Sequence, residues 1–242
     1  MDLYSFAPIA AILDLAYAGV TALSGLLEPL AGDAAAALAI VALTLVVRAI
    51  LVPVGISQVR AEFTRRRLAP MLRELQKRYK KQPEILQRKT MELYKTEKAS
   101  PVAGMLPALA QAPVLFVVYG LFVLHTINGH ANALLQGHVL GASLATSLIS
   151  GTVAWPGVIV FAVLLTIIAI VAWLQRRTAQ KIAAMDATAV PNATAQAMAR
   201  WLPFITVIFA SVVPLAATIY LTVTTSWTLV ERTLMRRALS AR

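Results

Sequence analysis

Arg48 stands inside an apolar stretch, Ala34 to Ser57, that reads AAAALAIVALTLVVRAILVPVGIS. As a helix its 24 residues reach roughly 36 Å, enough to cross a hydrocarbon core of about 30 Å. A charge in such a span costs roughly 2.5–3.5 kcal/mol even on forgiving insertion scales, so it needs water, an acidic partner or other protein around it. Arg48 lies nine residues before Ser57, about 13 Å along a helix. The plain explanation is an arginine that snorkels toward the end of the span. Thr44 sits one turn earlier on the same face. The chemistry open to such a pair is attraction of acidic groups within a partly shielded, wet hollow.

Other polar residues interrupt apolar runs. Gln111 lies six residues after Met105, about 9 Å into a second apolar helix. Thr218, Thr222 and Thr225 follow a four-then-three spacing on one helical face, with Tyr220, Thr224, Ser226 and Trp227 nearby. Threonines can satisfy themselves on carbonyls of their own helix. Alternatively, a hollow open to the cytoplasm would hydrate these residues together with Thr44, Arg48 and Gln111.

Bond-making chemistry is not indicated. The chain has no cysteine, which removes disulfides, thiolate metal sites and a lipoprotein anchor. His125, His130 and His138 do not share a helical face, and loop histidines are expected rather than a metal site. The glycines form no phosphate-binding fingerprint, and no nucleophile–base pair stands out. The chain is expected not to be an enzyme and to use no cofactor.

The elements that would hold these residues follow from composition. Of 242 residues, 59% are hydrophobic and 14% charged, and mean hydropathy is +0.72. This is a polytopic membrane protein by composition. The net charge of +11 is placed unevenly. Residues 1–47 hold four acids and no Lys or Arg, whereas residues 58–100 hold 13 Lys/Arg and five acids. The positive-inside rule then puts the start of the first span outside and its end in the cytoplasm.

The expected fold class is an all-α polytopic membrane protein with five transmembrane helices. Residues 1–33 carry an extracytoplasmic helix that either spans or lies in the outer interface, the latter favoured because Asp14 interrupts it and no flanking positive charge precedes it. A span at 34–57 leads to a basic cytoplasmic helical hairpin at 58–100, broken at Lys81-Gln82-Pro83. The second span falls in 101–126, with Pro107 and Pro113 distorting its inner half. An uncharged outer loop, 127–155, leads to a third span at 156–174. A cytoplasmic loop, 175–200, has a turn expected at Pro191-Asn192. Residues 201–230 carry no charge and have Pro214 near their centre. Two short spans, 201–213 and 214–231, keep every basic flank inside, where one long kinked helix would not. A cytoplasmic tail, 232–242, ends the chain. The hairpin is expected either to rest on anionic lipid headgroups or to dock a ribosome, RNA or a targeting factor.

Several motifs in order carry a resemblance. LTLVVRAILVP, the hairpin LRELQKRYKKQPEILQRKTMELYK, SPVAGMLPALAQAPVLFVVYGLF, and WLPFITVIFASVVPLAATIYLTVTTSWTLVERTLMRR resemble the YidC-type membrane protein insertases and their Oxa and Alb relatives over roughly residues 4–237. The resemblance implies the five-span core, the outside N-terminus and the interfacial first helix. It also implies a water-filled groove, open to the cytoplasm and to lipid, through which short polar segments of nascent membrane proteins pass while their apolar segments enter the bilayer. The groove arginine of the family corresponds to Arg48, and Gln111, Trp227 and Gln175 fall in matching stretches. Implied partners are nascent membrane proteins and the bilayer, with the ribosome, the signal recognition particle or its receptor and a Sec translocon reached through residues 60–98, and no DNA. The implied location is the plasma membrane of a bacterium, with the C-terminus cytoplasmic. The sequence departs from the family in lacking a large outer domain and a lipobox cysteine, in a short stretch after Glu231, and in Pro70, which is expected to interrupt the first hairpin helix. Two rivals are an anion transporter using Arg48 as its substrate site, for which neither internal repeats nor paired broken helices are seen, and a structural assembly subunit.

Overall fold

The computed structural model describes residues 7–100, 117, 118, 120–127, 129–185 and 193–240. Gln111, most of the expected second span and the expected turn at Pro191-Asn192 lie outside the described residues. The chain forms two compact units, residues 1–50 with 113–230, and residues 51–112 with 231–242. Both are mainly helical. The helical runs Ala7–Ile50 and Gly157–Lys181 are long and apolar enough to cross a membrane, and Trp201–Val212 is a shorter apolar helix.

In the first unit, α1 (Ala7–Ala31) and α2 (Ala35–Ile50) are joined by a single 3₁₀ turn at Gly32–Ala34. Gly32 takes φ +50°, a left-handed conformation that glycine adopts without steric cost. The chain folds back there, since a Cβ on Gly19 would lie 3.9 Å from Leu43 of α2. Leu13, Ala16, Tyr17, Val20, Leu23 and Leu27 face the core from α1, one stripe at helical spacing. On α2 the buried residues are mostly small, Ala35, Ala36, Ala37 and Ala39 beside Ile40, which lets neighbouring backbones approach closely. α2 stops at Ile50, short of Ser57. The cause is Pro53, whose missing N–H leaves the Ala49 carbonyl without its helical donor. Val54 and Gly55 both donate instead to the Leu51 carbonyl, at 3.0 and 3.1 Å.

The uncharged loop is ordered by backbone pairing rather than by charge. Its strands are β1 (Thr126–Ile127) with β2 (His130–Ala131) and β3 (His138–Val139) with β4 (Ala142–Ser143), both antiparallel. These are the departures from an all-helical fold among the described residues. Buried Asn132 donates to the carbonyls of Leu121 at 2.7 Å and Leu124 at 2.9 Å, and accepts from Leu134 N. Tyr17 Oη accepts from Ala133 N at 3.2 Å, tying α1 to this loop.

Two long helices follow, α5 (Gly157–Met185) and α6 (Ala193–Val212), which pack on each other. α7 (Leu215–Ser240) begins after Val213-Pro214. Its first orphan donors are met by the loop: Leu215 N reaches Thr146 O at 2.8 Å and Ala216 N reaches Leu144 O at 3.1 Å. The core of the unit joins α1, the first half of α2, the loop, Phe161 of α5 and the first half of α7.

In the second unit, α3 (Val52–Arg78) and α4 (Pro83–Thr96) form a hairpin around Tyr79–Gln82. Pro83 opens α4 where its absent N–H costs nothing. α3 runs unbroken through Pro70, contrary to the expected interruption. An interior proline costs about 3 kcal/mol; fully buried Leu68 beside it, and ion pairs from Arg66 to Glu62 and from Arg67 to Glu97, support the helix at this point. On α4, Glu92 is held below the usual carboxylate range by the hydrogen bond from Lys89, with Lys89, Arg88 and Lys95 adding charge. The end of α7 belongs to this unit. There Glu231 and Met235 pack on Gly55, and Arg236 bonds Glu62.

Candidate functional site

Arg48 occupies the last turn of α2, where a cation is favoured by the unpaired carbonyls of a helix end. Burial along α2 ends at Thr44; beyond it Leu45, Val46, Val47 and Ile50 are exposed and Arg48 is half-buried. Among the described residues Arg48 has neither an ion pair nor a hydrogen bond. A half-buried guanidinium on an otherwise apolar helix end is therefore available to a ligand or to water. Thr44 is buried and donates back to Ile40 O at 2.6 Å, so its hydroxyl is spent within its own helix.

α2 and α7 contribute their first halves to one core, through Ala36, Ala37, Ala39 and Ile40 on one side and Leu215, Ala216, Ala217, Ile219 and Tyr220 on the other. The polar residues follow toward the C-terminal end of each helix. On α7 the threonines are mostly self-satisfied. Thr222 donates to Thr218 O and Thr225 to Leu221 O, both at 2.8 Å, and Thr228 to Thr224 O at 2.8 Å. Thr218 does something different. It is fully buried and donates to Ala210 O of α6 at 2.8 Å. The helical donor for that carbonyl would be residue 214, which is a proline without an N–H. Thr218 is thus the staple of the α6–α7 turn.

Trp227 lies on another stripe of α7, with Tyr220 and Thr224, at 100° per residue. Trp227 Nε1 and Thr224 Oγ1 are both buried without a hydrogen-bond partner. Thr224 is the one threonine between 215 and 230 whose hydroxyl has no acceptor. A buried unpaired donor costs about 1–3 kcal/mol, and these two lie three residues apart on α7. Sequence reasoning passed over Thr224 in favour of the regular threonine stripe. The signal was its spacing from Trp227, whose indole N–H can only donate.

On α5, Gln175 is half-buried and follows Ile168, Val171 and Ala172 on the buried face. Of the expected residues described, Arg48 and Trp227 have unspent polar atoms, as does the unexpected Thr224; Thr44, Thr222 and Thr225 serve their own helices, Thr218 serves the turn, and Gln175 is half-buried on α5.

Residues 27–242 match the family model described as "60Kd inner membrane protein". The chain belongs to that family, the YidC/Oxa1/Alb3 family. Among curated relatives, the "Membrane protein insertase YidC" of Clostridium perfringens is 44% identical over 80 residues, 33% of this chain and 34% of that protein. The protein of the same name from Helicobacter pylori is 42% identical over 81 residues, 34% of this chain and 15% of that protein. That of Tropheryma whipplei is 39% identical over 88 residues, again 34% of this chain and 28% of that protein. The matches thus span 34% or less of these relatives' own lengths. Family membership and the long apolar helices together make this a helical membrane protein.

Proposed function

We propose that the chain is a membrane protein insertase of the bacterial plasma membrane. It moves short polar segments of nascent membrane proteins through a hydrated groove open to the cytoplasm, and releases their apolar segments into lipid. The observation that carries the mechanism is Arg48, half-buried and without a partner among the described residues. Thr224 and Trp227 support it, since their orphaned donors are satisfied once the site is wet.

In this proposal five spans form the core: α2, the helix around residues 117–122, α5, the apolar part of α6, and the first part of α7. α1 lies at the outer interface, a placement supported by the Tyr17 bond to the loop at Ala133. The N-terminus is outside and the C-terminus cytoplasmic, as the basic segments 58–100, 175–200 and 232–242 favour. Gln175 joins Arg48 along the groove. The hairpin, residues 60–98, is the docking surface for a ribosome, a targeting factor or a Sec translocon.

The physics is economical. Moving a polar tail through hydrocarbon costs several kcal/mol for each uncompensated polar group. A wet hollow reaching part-way shortens the dry path, and Arg48 draws acidic residues into it with little screening. No bond is made or broken. The test is complementation of a cell depleted of its own insertase. Growth and insertion restored by the wild-type chain and impaired for Arg48→Ala support the proposal; failure of the well-expressed wild-type chain, or anion uptake into liposomes holding it, overturns it.

A further inference from the structure

The inner ends of α5 and α6 hold an arrangement that the groove does not use. Residues 157–175 of α5 carry no charge, and Arg176 and Arg177 follow at once. α6 begins its own apolar run at Trp201. Packing of the two helices brings these ends together. The Arg176 guanidinium carbon lies 5.5 Å from the ring centre of Trp201 and 6.0 Å from that of Phe204. The two rings are 5.9 Å apart and tilted by 55°. The Arg177 guanidinium carbon lies 3.7 Å from the Trp173 ring centre.

Stacking on a ring occupies the face of a guanidinium and leaves its in-plane N–H groups free for an anion. Among the described residues neither Arg176 nor Arg177 has an ion pair or a hydrogen bond beyond these ring contacts. Neither helix contains an acid, and residues 175–200 hold four basic residues against Asp186 alone. The surface beside the guanidinia is apolar and open: Trp201 is 63% exposed, and Leu202, Ile205 and Trp173 are exposed as well.

We infer that the inner ends of α5 and α6 form a binding site for an anionic phospholipid, with Arg176 and Arg177 on its phosphate and Trp173, Trp201 and Leu202 against its glycerol and upper acyl chains. The charge fits a phosphate diester, and the adjoining apolar surface fits a lipid rather than a free ion. Basic recesses between spans on the cytoplasmic side suit such headgroups, and amphipathic rings belong at that depth. The inference rests on the membrane placement proposed above, not on insertase activity.

The test is native mass spectrometry of the delipidated full chain in detergent, titrated with phosphatidylglycerol and with phosphatidylcholine. The expected result is a first phosphatidylglycerol bound about tenfold more tightly than phosphatidylcholine, lost in Arg176→Gln/Arg177→Gln, as two charge-assisted contacts of modest net strength imply. Trp201→Leu, which keeps an apolar side chain and both charges, is expected to weaken it about threefold by freeing Arg176. Far-UV circular dichroism checks that each variant is folded. Equal binding of the two lipids, full retention by the double variant, or displacement by millimolar inorganic phosphate would overturn the site. Complementation by the same variants reads insertase activity separately, so lipid binding can fail while that function stands.

Discussion

Arg236 near the end of α7 places Nη2 3.1 Å from both carboxylate oxygens of Glu62 on α3. Arg66 bonds the same carboxylate from one turn along α3. Arg236 is 23% exposed and Glu62 32%, so the pair is partly shielded yet still touches water. Gly55, two turns earlier on α3, leaves room for Glu231, whose carboxylate a Cβ there would overlap. The tail is therefore a fastened strut of the hairpin unit. Glu62→Ala is expected to cost about 1 kcal/mol, because it strands two arginines but in a site that water can reach. Hydrogen exchange of residues 231–240 in the detergent-solubilised chain should rise. Exchange unchanged from the wild type would show that the tail is held by apolar packing alone.

The α6–α7 turn gives a sharper contrast. Thr218→Val keeps shape but leaves the buried Ala210 carbonyl without a donor, an expected loss of about 1–3 kcal/mol. Thr222→Val, whose hydroxyl only bonds back to Thr218 O, is expected to be within about 0.5 kcal/mol of neutral. Urea or thermal unfolding of both variants in one detergent measures the difference. Equal stability of the two would remove the stapling role of Thr218.

What was legible in the sequence was whatever leaves a periodic or compositional trace. The hairpin break at Pro83 and the turn at Pro214 follow from a ring that lacks an N–H, and the structure has turns at both. Pro70 obeys the same chemistry, yet α3 passes through it, because tertiary support at Leu68 and Arg67 is invisible in a local pattern. α2 stops at Ile50, three residues before Pro53 and short of the Ser57 end expected for the span. At the candidate site Arg48 was legible because a charge in an apolar run is conspicuous. The threonine stripe was legible as a pattern but ambiguous in meaning, since a hydroxyl that bonds back to its helix looks the same in sequence as one that faces water. Thr224 and Asn132 were not singled out. Their importance lies in which carbonyls come within reach, and that is a property of the fold.

Asn132 shows the point in its energetics. It is buried, donates to two carbonyls eight and eleven residues away, and caps Leu134 N. Asn132→Ala is expected to cost about 2–3 kcal/mol by orphaning buried backbone groups. Asn132→Asp should cost at least as much, because an ionised carboxylate can accept from Leu134 N but cannot donate to Leu121 O or Leu124 O. Limited proteolysis between residues 126 and 150 should accelerate in both. If Asn132→Asp is as resistant as the wild type, the two donated bonds do not hold the loop.

The last prediction separates charge attraction from mere hydration at Arg48. At about 8 Å and an effective dielectric near 20, a guanidinium attracts one carboxylate by roughly 2 kcal/mol before salt screening. Screening lowers this, so a tail bearing one or two acids should insert about tenfold faster than its neutral counterpart. A lysine-bearing tail should be slower still, since it gains nothing from Arg48 and must leave water over the same length. The other source of free energy, burial of the substrate's apolar segment at about 25 cal/mol per Å², is the same for every tail charge and cancels in the comparison. Arg48→Lys should largely preserve the order, because a point charge suffices where no bidentate fork is needed. Arg48→Ala should flatten it, and Arg48→Glu should partly reverse it. The measurement is protease protection of one model substrate, its outer tail varied from acidic to basic, in liposomes holding only this protein. Insertion indifferent to tail charge in both the wild type and Arg48→Glu would mean that Arg48 acts by wetting the groove or by holding its helices, not by drawing charge.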